Sequence, residues 1–191
     1  MAASSARREA IALAREMVAQ RPVYLDTETT GLDNDSEVVE ICILDTDGGV
    51  LVDTLVKPLG PILPGAAEVH GITNAMVADA PSWKSLWPRV SQALAHQQVA
   101  IYNAAFDVRM LKQSQRAHGL RWAARGAKFY CVMETYAQFY GDWNAYYGSY
   151  RWQRLEDAGR QCQIALPNSH RARADAALAR ELLLHMASGT G

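Results

Sequence analysis

A chain of 191 residues, 49% of them apolar and 20% charged, is enough for one soluble globular domain with a sizeable core. No run approaches the roughly 20 apolar residues of a membrane-spanning helix, so no membrane partner is expected. The net charge of −1 is unevenly spread: Asp26 to Pro81 holds eleven acids and one base, Lys57, whereas Ser82 onward holds fourteen bases and seven acids. An acidic metal centre facing a basic second half suits a polyanionic substrate; solvated surface charge is the plain alternative.

Met1 to Gln20 reads as an amphipathic helix, with Ala10, Leu13 and Met17 beside a stripe of Ala14 and Val18. Its interspersed arginines and glutamates argue against a signal peptide. Val23 to Leu25 reads as a short buried strand ended by the turn at Gly31. Side chains alternate on a strand, so Asp26 and Glu28 share a face at its end. Two carboxylates there repel each other, which points to a divalent cation between them or to two solvated acids. Val38 to Leu44 is a second strand, Asp47-Gly48-Gly49 a hairpin turn, and Val50 to Val56 a third strand stopped by Pro58. Ala66 to Thr73 forms a helical turn closed by Gly71, and Thr73 caps a further turn through Met76. Ser82 caps a helix reaching about Gln97, with a break or kink expected at Pro88.

Val99 to Tyr102 is a fourth strand, and Ala105 to His118 a helix stopped at Gly119. Lys128 to Val132 is a fifth strand, Glu134 to Tyr140 a short helix, and Gly141 to Ser149 a loop. Arg151 to Cys162 and His170 to Ala187 are the last two helices. Three antiparallel strands followed by alternating helix and strand make an α/β fold, a mixed five-stranded sheet with helices on both faces. Cys42, Cys131 and Cys162 are scattered without metal-ligand spacing. Reduced thiols in a cytoplasmic protein account for them most simply.

Two acids sit where the apolar pattern forbids them. Asp107 shares a helix stripe with Met110, Leu111 and Ser114, just past the carboxyl end of the fourth strand, where open α/β sheets gather ligands. Asp175 shares a stripe with Leu178 and Leu182. A partly buried acid paired with arginine or backbone amides is the alternative for each. If Asp26, Glu28, Asp107 and Asp175 converge, about two divalent cations are needed to hold them. His170, five residues before Asp175, is then a candidate general base, because imidazole titrates near neutrality.

These stretches resemble the histidine branch of the DEDD 3′–5′ exonucleases, typified by the epsilon proofreading subunit of bacterial replicative polymerases. The first motif is Asp26-Thr27-Glu28-Thr29-Thr30-Gly31-Leu32. The second is Asn103-Ala104-Ala105-Phe106-Asp107 with Leu111 following, and the third His170-Arg171-Ala172-Arg173-Ala174-Asp175-Ala176. Val69-His70-Gly71-Ile72-Thr73 is similar to the family's connecting segment, and the likeness runs from about Pro22 to Met186. It departs at Cys131-Val132-Met133, where the family often shows Asp-Thr, a position outside the catalytic carboxylates.

The resemblance implies a ribonuclease-H-like fold, with residues 1–21 as a helical extension and 22–187 as the exonuclease domain. It implies two bound Mg²⁺ or Mn²⁺, Asp26 bridging both, Glu28 and Asp175 on one and Asp107 on the other. His170 would deprotonate the attacking water, moving in once the substrate orders its loop. Thr29 and neighbouring backbone would meet the terminal 3′-OH, Leu32 would pack on the terminal base, Asn103 and Phe106 would flank the last nucleotides, and His70 would line the pocket. The implied substrate is the 3′ end of single-stranded DNA, with RNA or oligoribonucleotides as the alternative and a DNA polymerase as a candidate partner. A non-catalytic module that binds nucleic acid or a polymerase is the other class of reading.

Ten of the sixteen aromatics fall between Phe129 and Trp152. Tyr136, Phe139 and Tyr140 have helical spacing and read as core. Trp143, Tyr146, Tyr147 and Tyr150 lie in a polar, glycine-flanked loop next to Arg151 and Arg154, suited to stacking a single strand or to docking a partner. Gln163 to Pro167 reads as the turn before the third motif, with a faint likeness to a sliding-clamp peptide.

Overall fold

The computed structural model describes residues 5–165 and 170–189; Met1 to Ser4 of the first expected helix, and Leu166 and Pro167 of the expected turn, lie outside them. The elements run α1 (Ser5–Ala19), β1 (Val23–Thr29), β2 (Val38–Leu44), β3 (Val50–Leu55), α2 (Pro64–His70), α3 (Asn74–Val77), α4 (Trp83–Leu94), β4 (Gln98–Ile101), α5 (Ala104–Ala117), β5 (Lys128–Cys131), α6 (Val132–Tyr140), β6 (Trp143–Asn144), β7 (Ser149–Tyr150), α7 (Leu155–Gln161) and α8 (Ala172–Ser188). The expected five-stranded mixed sheet is present, in the order β3-β2-β1-β4-β5. The pairs β3–β2 and β2–β1 are antiparallel; β1–β4 and β4–β5 are parallel.

Strand alternation sorts the sheet's side chains into two cores. Val23, Leu25, Ile41, Ile43, Val99 and Ile101 pack on one face against α4 and α5. Tyr24, Cys42, Leu44 and Ala100 pack on the other against α1, α6 and α8. Within α1, Ala10, Ala14 and Met17 are buried in this second core, so the first helix closes one face of the sheet. No helix among the described residues is long and apolar enough to cross a membrane.

Several local expectations differ from the structure. Helix α4 is continuous through Pro88: the proline lies one turn in, where the missing N–H leaves a single carbonyl, that of Lys84, without its helical partner, and burial of Trp87, Val90 and Leu94 carries the helix on. Residues 151–154 are not helical. The Arg151 N–H donates to the Asp142 carbonyl and Gln153 accepts from the Tyr102 hydroxyl, which ties this segment down in extended form. Helix α6 starts at Val132, earlier than expected, with the Met133 N–H on the Tyr102 carbonyl. The expected loop at Gly141 to Ser149 contains the β6–β7 hairpin. Tyr136 and Phe139 are core; Tyr140, Trp143, Tyr146 and Tyr147 are exposed.

Candidate active site

Strand β1 is seven residues long, but its parallel partner β4 pairs with it only at Val23 and Tyr24. Beyond Leu25, the β1 edge that faces β4 is therefore open. Helix α5 starts beside this opening and supplies what the sheet lacks: Asp107 Oδ1 accepts from the Thr27 N–H at 3.1 Å and from the Thr27 hydroxyl at 2.7 Å. Asp107 is 3% exposed. From the other face come Asp26 and Glu28, beneath the start of α8, which brings Asp175.

Asp26, Glu28 and Asp175 each offer an oxygen within 4.8 Å of the others. Together with Asp107, Asn103, Phe106 and His170 they line one cavity of about 170 Å³. The structure thus brings the four acids and the histidine of the three motifs to a single place, although Asp107 approaches from the opposite side of the sheet and is held by Thr27.

The electrostatics show strained carboxylates. Burial first, then the charges of Asp107, Asp175 and Glu28, push Asp26 well above the usual carboxylate range. Burial and Asp175 raise Glu28 to about 8. Burial raises Asp107 to about 7 against the opposing pull of the two Thr27 bonds. Burial also raises Asp175, opposed by the His170 N–H that it accepts at 3.3 Å. Such a cluster is stable as carboxylates only beside positive charge. The Arg171 guanidinium, whose charge acts on Glu28, is bound to another acid, Glu40. An all-oxygen donor set of this kind fits a hard divalent cation.

His170 precedes α8 and lies outside the helix expected to contain it. It is exposed, with a left-handed φ of 62°, a conformation rare for a side-chain-bearing residue and frequent at functional positions.

Glu40 and Thr27 escaped the sequence reading. Glu40 stands opposite Glu28 in the β1–β2 register. Its carboxylate takes the Arg171 guanidinium (Nη2 to Oε1, 2.5 Å) and the Ala172 N–H (2.9 Å), so the residues just after His170 are pinned to β2. The signal was visible: a single acid inside the apolar run Val38 to Leu44, the same anomaly that marked Asp107. Thr27 carries no comparable signal, because a threonine in a strand is ordinary.

A second cavity, of about 520 Å³, adjoins the first and is lined by Glu28, Thr29, Leu32, Leu63, His70 and Phe106, among others. Leu32 is 73% exposed at its rim. His70 is buried behind it. Its Nδ1 accepts the Ile72 N–H at 3.0 Å, so Nε2 carries the hydrogen and donates to the Thr29 carbonyl at 3.1 Å. Burial lowers the pKa of His70 and keeps it in this neutral form. The Thr29 hydroxyl donates to the Gly31 carbonyl at 2.7 Å. A Cβ at Gly31 would lie 2.8 Å from Leu63 Cδ1, so glycine lets this turn rest on the segment leading into α2. Asn103 is exposed at the start of α5 and forms no cap bond with its side chain.

The sequence matches the exonuclease family RNase_T over residues 23–183. It is similar to the uncharacterized exonuclease CP81 of Escherichia phage 186, 36% identical over 172 residues covering 87% of this chain and 88% of the phage protein. The DNA polymerase III subunit epsilon of Buchnera aphidicola is 31% identical over 104 residues, 49% of this chain and 45% of that subunit. Exonuclease X in complex with 5′ overhanging duplex DNA matches with a TM-score of 0.64 and 26% identity, over 88% of this chain and 92% of that one. The family match spans the whole sheet and the helices that deliver the acids: this chain belongs to the RNase_T exonuclease family and has its ribonuclease-H-like fold.

Proposed function

We propose that the protein is a 3′–5′ exonuclease, dependent on two divalent cations, that removes nucleoside 5′-monophosphates from single-stranded DNA ends. The observation that carries this reading is the convergence of Asp26, Glu28, Asp107, Asp175 and His170 on one cavity, beside a second cavity within the usual size of small-ligand sites, roughly 300–1,000 Å³. Relatives named for DNA polymerase III and a neighbour solved with DNA support DNA as the polymer, and the epsilon relative supports a polymerase partner. Three cysteines without disulfides suit the reducing cytoplasm.

In this reading Asp26, Glu28, Asp107 and Asp175 hold Mg²⁺ or Mn²⁺. Bound divalent cations supply charge against the phosphate and lower the pKa of water. His170 accepts the proton of the water that attacks the last phosphodiester; the bond to the 3′ oxygen breaks, and the terminal nucleotide departs with its 5′ phosphate. Leu32 and Phe106 clamp the terminal base, Thr29 meets its sugar, His70 fixes the Thr29 turn, and Asn103 faces the next nucleotide.

A time course on 5′-labelled single-stranded DNA and matched RNA tests this. The expected outcome is a DNA ladder that shortens from the 3′ end, stops in chelator and resumes with Mg²⁺ or Mn²⁺. Shortening from the 5′ end, or turnover undiminished in chelator, would overturn the assignment; a ladder on RNA alone would move the substrate.

Beyond the catalytic cavity, Trp152 and Arg154 line a wider groove of about 770 Å³ that also contains Asn103, His170 and Asp175. The β6–β7 hairpin just before it presents Trp143, Tyr146 and Tyr147, the last 74% exposed. We assign this side to the incoming strand, since each stacked base is worth roughly 1–3 kcal/mol. Replacing Trp143 and Tyr147 by Ala should weaken strand binding about tenfold while hydrolysis of a small chromogenic phosphodiester holds. Equal loss on both substrates would speak against a stacking role.

A further inference from the structure

Part of the basic half of the chain forms one stripe on α5. Between Ala104 and Lys128 the chain has six bases, and its one acid is Asp107. Arg109, Lys112 and Arg116 fall at i, i+3 and i+7 on that helix, hence on one stripe. They line an open groove of about 770 Å³ whose floor is Val108 and Phe129. None of the three has a carboxylate within ion-pair distance among the described residues, whereas Arg21, Arg151, Arg160, Arg171, Arg173 and Arg180 each have one. The Lys112 ammonium lies 5.7 Å from the Trp122 ring, and the two arginines touch backbone carbonyls.

Those carbonyls belong to the wall of the active site. Arg109 donates to the Leu32 carbonyl at 3.2 Å and Arg116 to the Asn34 carbonyl at 3.0 Å. Gln113 donates to the Asp33 carbonyl at 3.0 Å. The segment from Leu32 to Asn34 is thus fastened to α5 as a partition: Leu32 and Asp33 line the cavity beside the catalytic acids, and Asn34 lines the basic groove. Arg109 uses Nη1 for the partition and for Gln113 Oε1, and Arg116 uses Nη2 for the partition, so the remaining guanidinium nitrogens of both can donate to a ligand in the groove.

We propose that this groove binds the sugar–phosphate backbone of the uncleaved strand when the protein works at the end of a duplex. This rests on the exonuclease reading above, which places the cleaved strand on the opposite side of the partition. An end with two strands offers one to each side. The seven residue steps of helix from Arg109 to Arg116 rise about 10 Å, the rise of about three nucleotide steps along one strand of DNA, so the three cations face a short run of successive phosphates. The contact is with backbone, not bases, and carries no sequence preference.

The test uses the full chain in chelator, so that binding is read without cleavage. Fluorescence anisotropy is measured on a DNA duplex with a 5′ overhang and on its recessed strand alone. Lys112→Glu should weaken duplex binding about tenfold and make the slope of log affinity against log salt shallower by about one. Single-strand binding, and single-strand cleavage with Mg²⁺, should stay within about twofold of the parent. Lys112→Ala, which removes the charge without reversing it, should give a smaller effect in the same direction. Lys84→Glu on α4 controls for overall charge and should change neither substrate. Equal losses on duplex and single strand would put the cleaved strand in the groove, and no loss on either would leave the groove without a nucleic-acid role; each overturns the proposal. Failure of the exonuclease reading shows separately, as absence of single-strand cleavage by the parent protein, and the chelator binding data still decide whether duplex binding depends on Lys112.

Discussion

Asp26→Asn should abolish turnover and raise the melting temperature of the cation-free protein. Asp26 lies at the centre of the carboxylate cluster, and burial together with Asp107, Asp175 and Glu28 holds its pKa well above the usual range. A carboxyl group whose pKa is higher folded than unfolded favours the fold while protonated in both states. That contribution is present below the unfolded value and is lost as pH rises through the folded one. For Glu28 the window runs from 4.5 to about 8, and for Asp107 from 3.8 to about 7.

In chelator, the parent protein should therefore melt at a lower temperature at pH 8 than at pH 5. Asparagine keeps the shape of aspartate without the charge, so the substitution should narrow that gap. In a chain of this size each kcal/mol corresponds to about 2–4 °C, within reach of thermal-shift measurement. The activity loss should exceed the roughly 10–100-fold that follows loss of an outer partner at a metal site. Activity at the parent level would remove the carboxylate centre from the mechanism. A melting temperature lower for Asp26→Asn than for the parent at pH 8 would show that the Asp26 charge supports the fold.

His170→Ala should reduce kcat by roughly 10²–10⁴, the usual contribution of a positioned general base, with Mn²⁺ affinity by titration calorimetry within about twofold. The separation is expected because His170 meets the cluster through its backbone N–H, which any residue but proline supplies to Asp175. Its left-handed φ of 62° complicates alanine, which is strained there. Asparagine tolerates that region, so His170→Asn separates the missing base from a displaced backbone. Both variants should be slow if the imidazole takes the proton. Recovery of the parent rate by His170→Asn would assign His170 a backbone role, and a parent-like rate in both would reassign the base.

Much of the fold was legible because it is written in local pattern. Val38 to Leu44 is a short apolar run rich in β-branched residues and bounded by turn residues, and its strand has those bounds. Asp107 stood out as a single acid on an apolar helical stripe, and it is buried in the cleft. Arg151 to Arg154 misled because their composition is compatible with a helix; the distant Asp142 carbonyl and Tyr102 hydroxyl hold them extended. At Pro88 the helix is unbroken, since tertiary burial outweighed the local cost of a missing N–H. His170 shows the same limit: its place in the pattern continues the last helix, yet it stands before the helix in a conformation of its own.

The order of strands and helices, the motifs and the anomaly of acids among apolar residues are properties of short stretches, and reading the residues recovers them. How those acids are brought together is not. Asp107 reaches Thr27 because β1 runs on past the end of β4 and leaves an unpaired edge, a difference in length between strands some seventy positions apart. Glu40 serves Arg171 because an antiparallel register sets it beside Glu28, under the first turn of a helix from the far end of the chain. Strand register and the placement of α8 follow from packing summed over both faces of the sheet, and a window of neighbouring residues does not contain that sum.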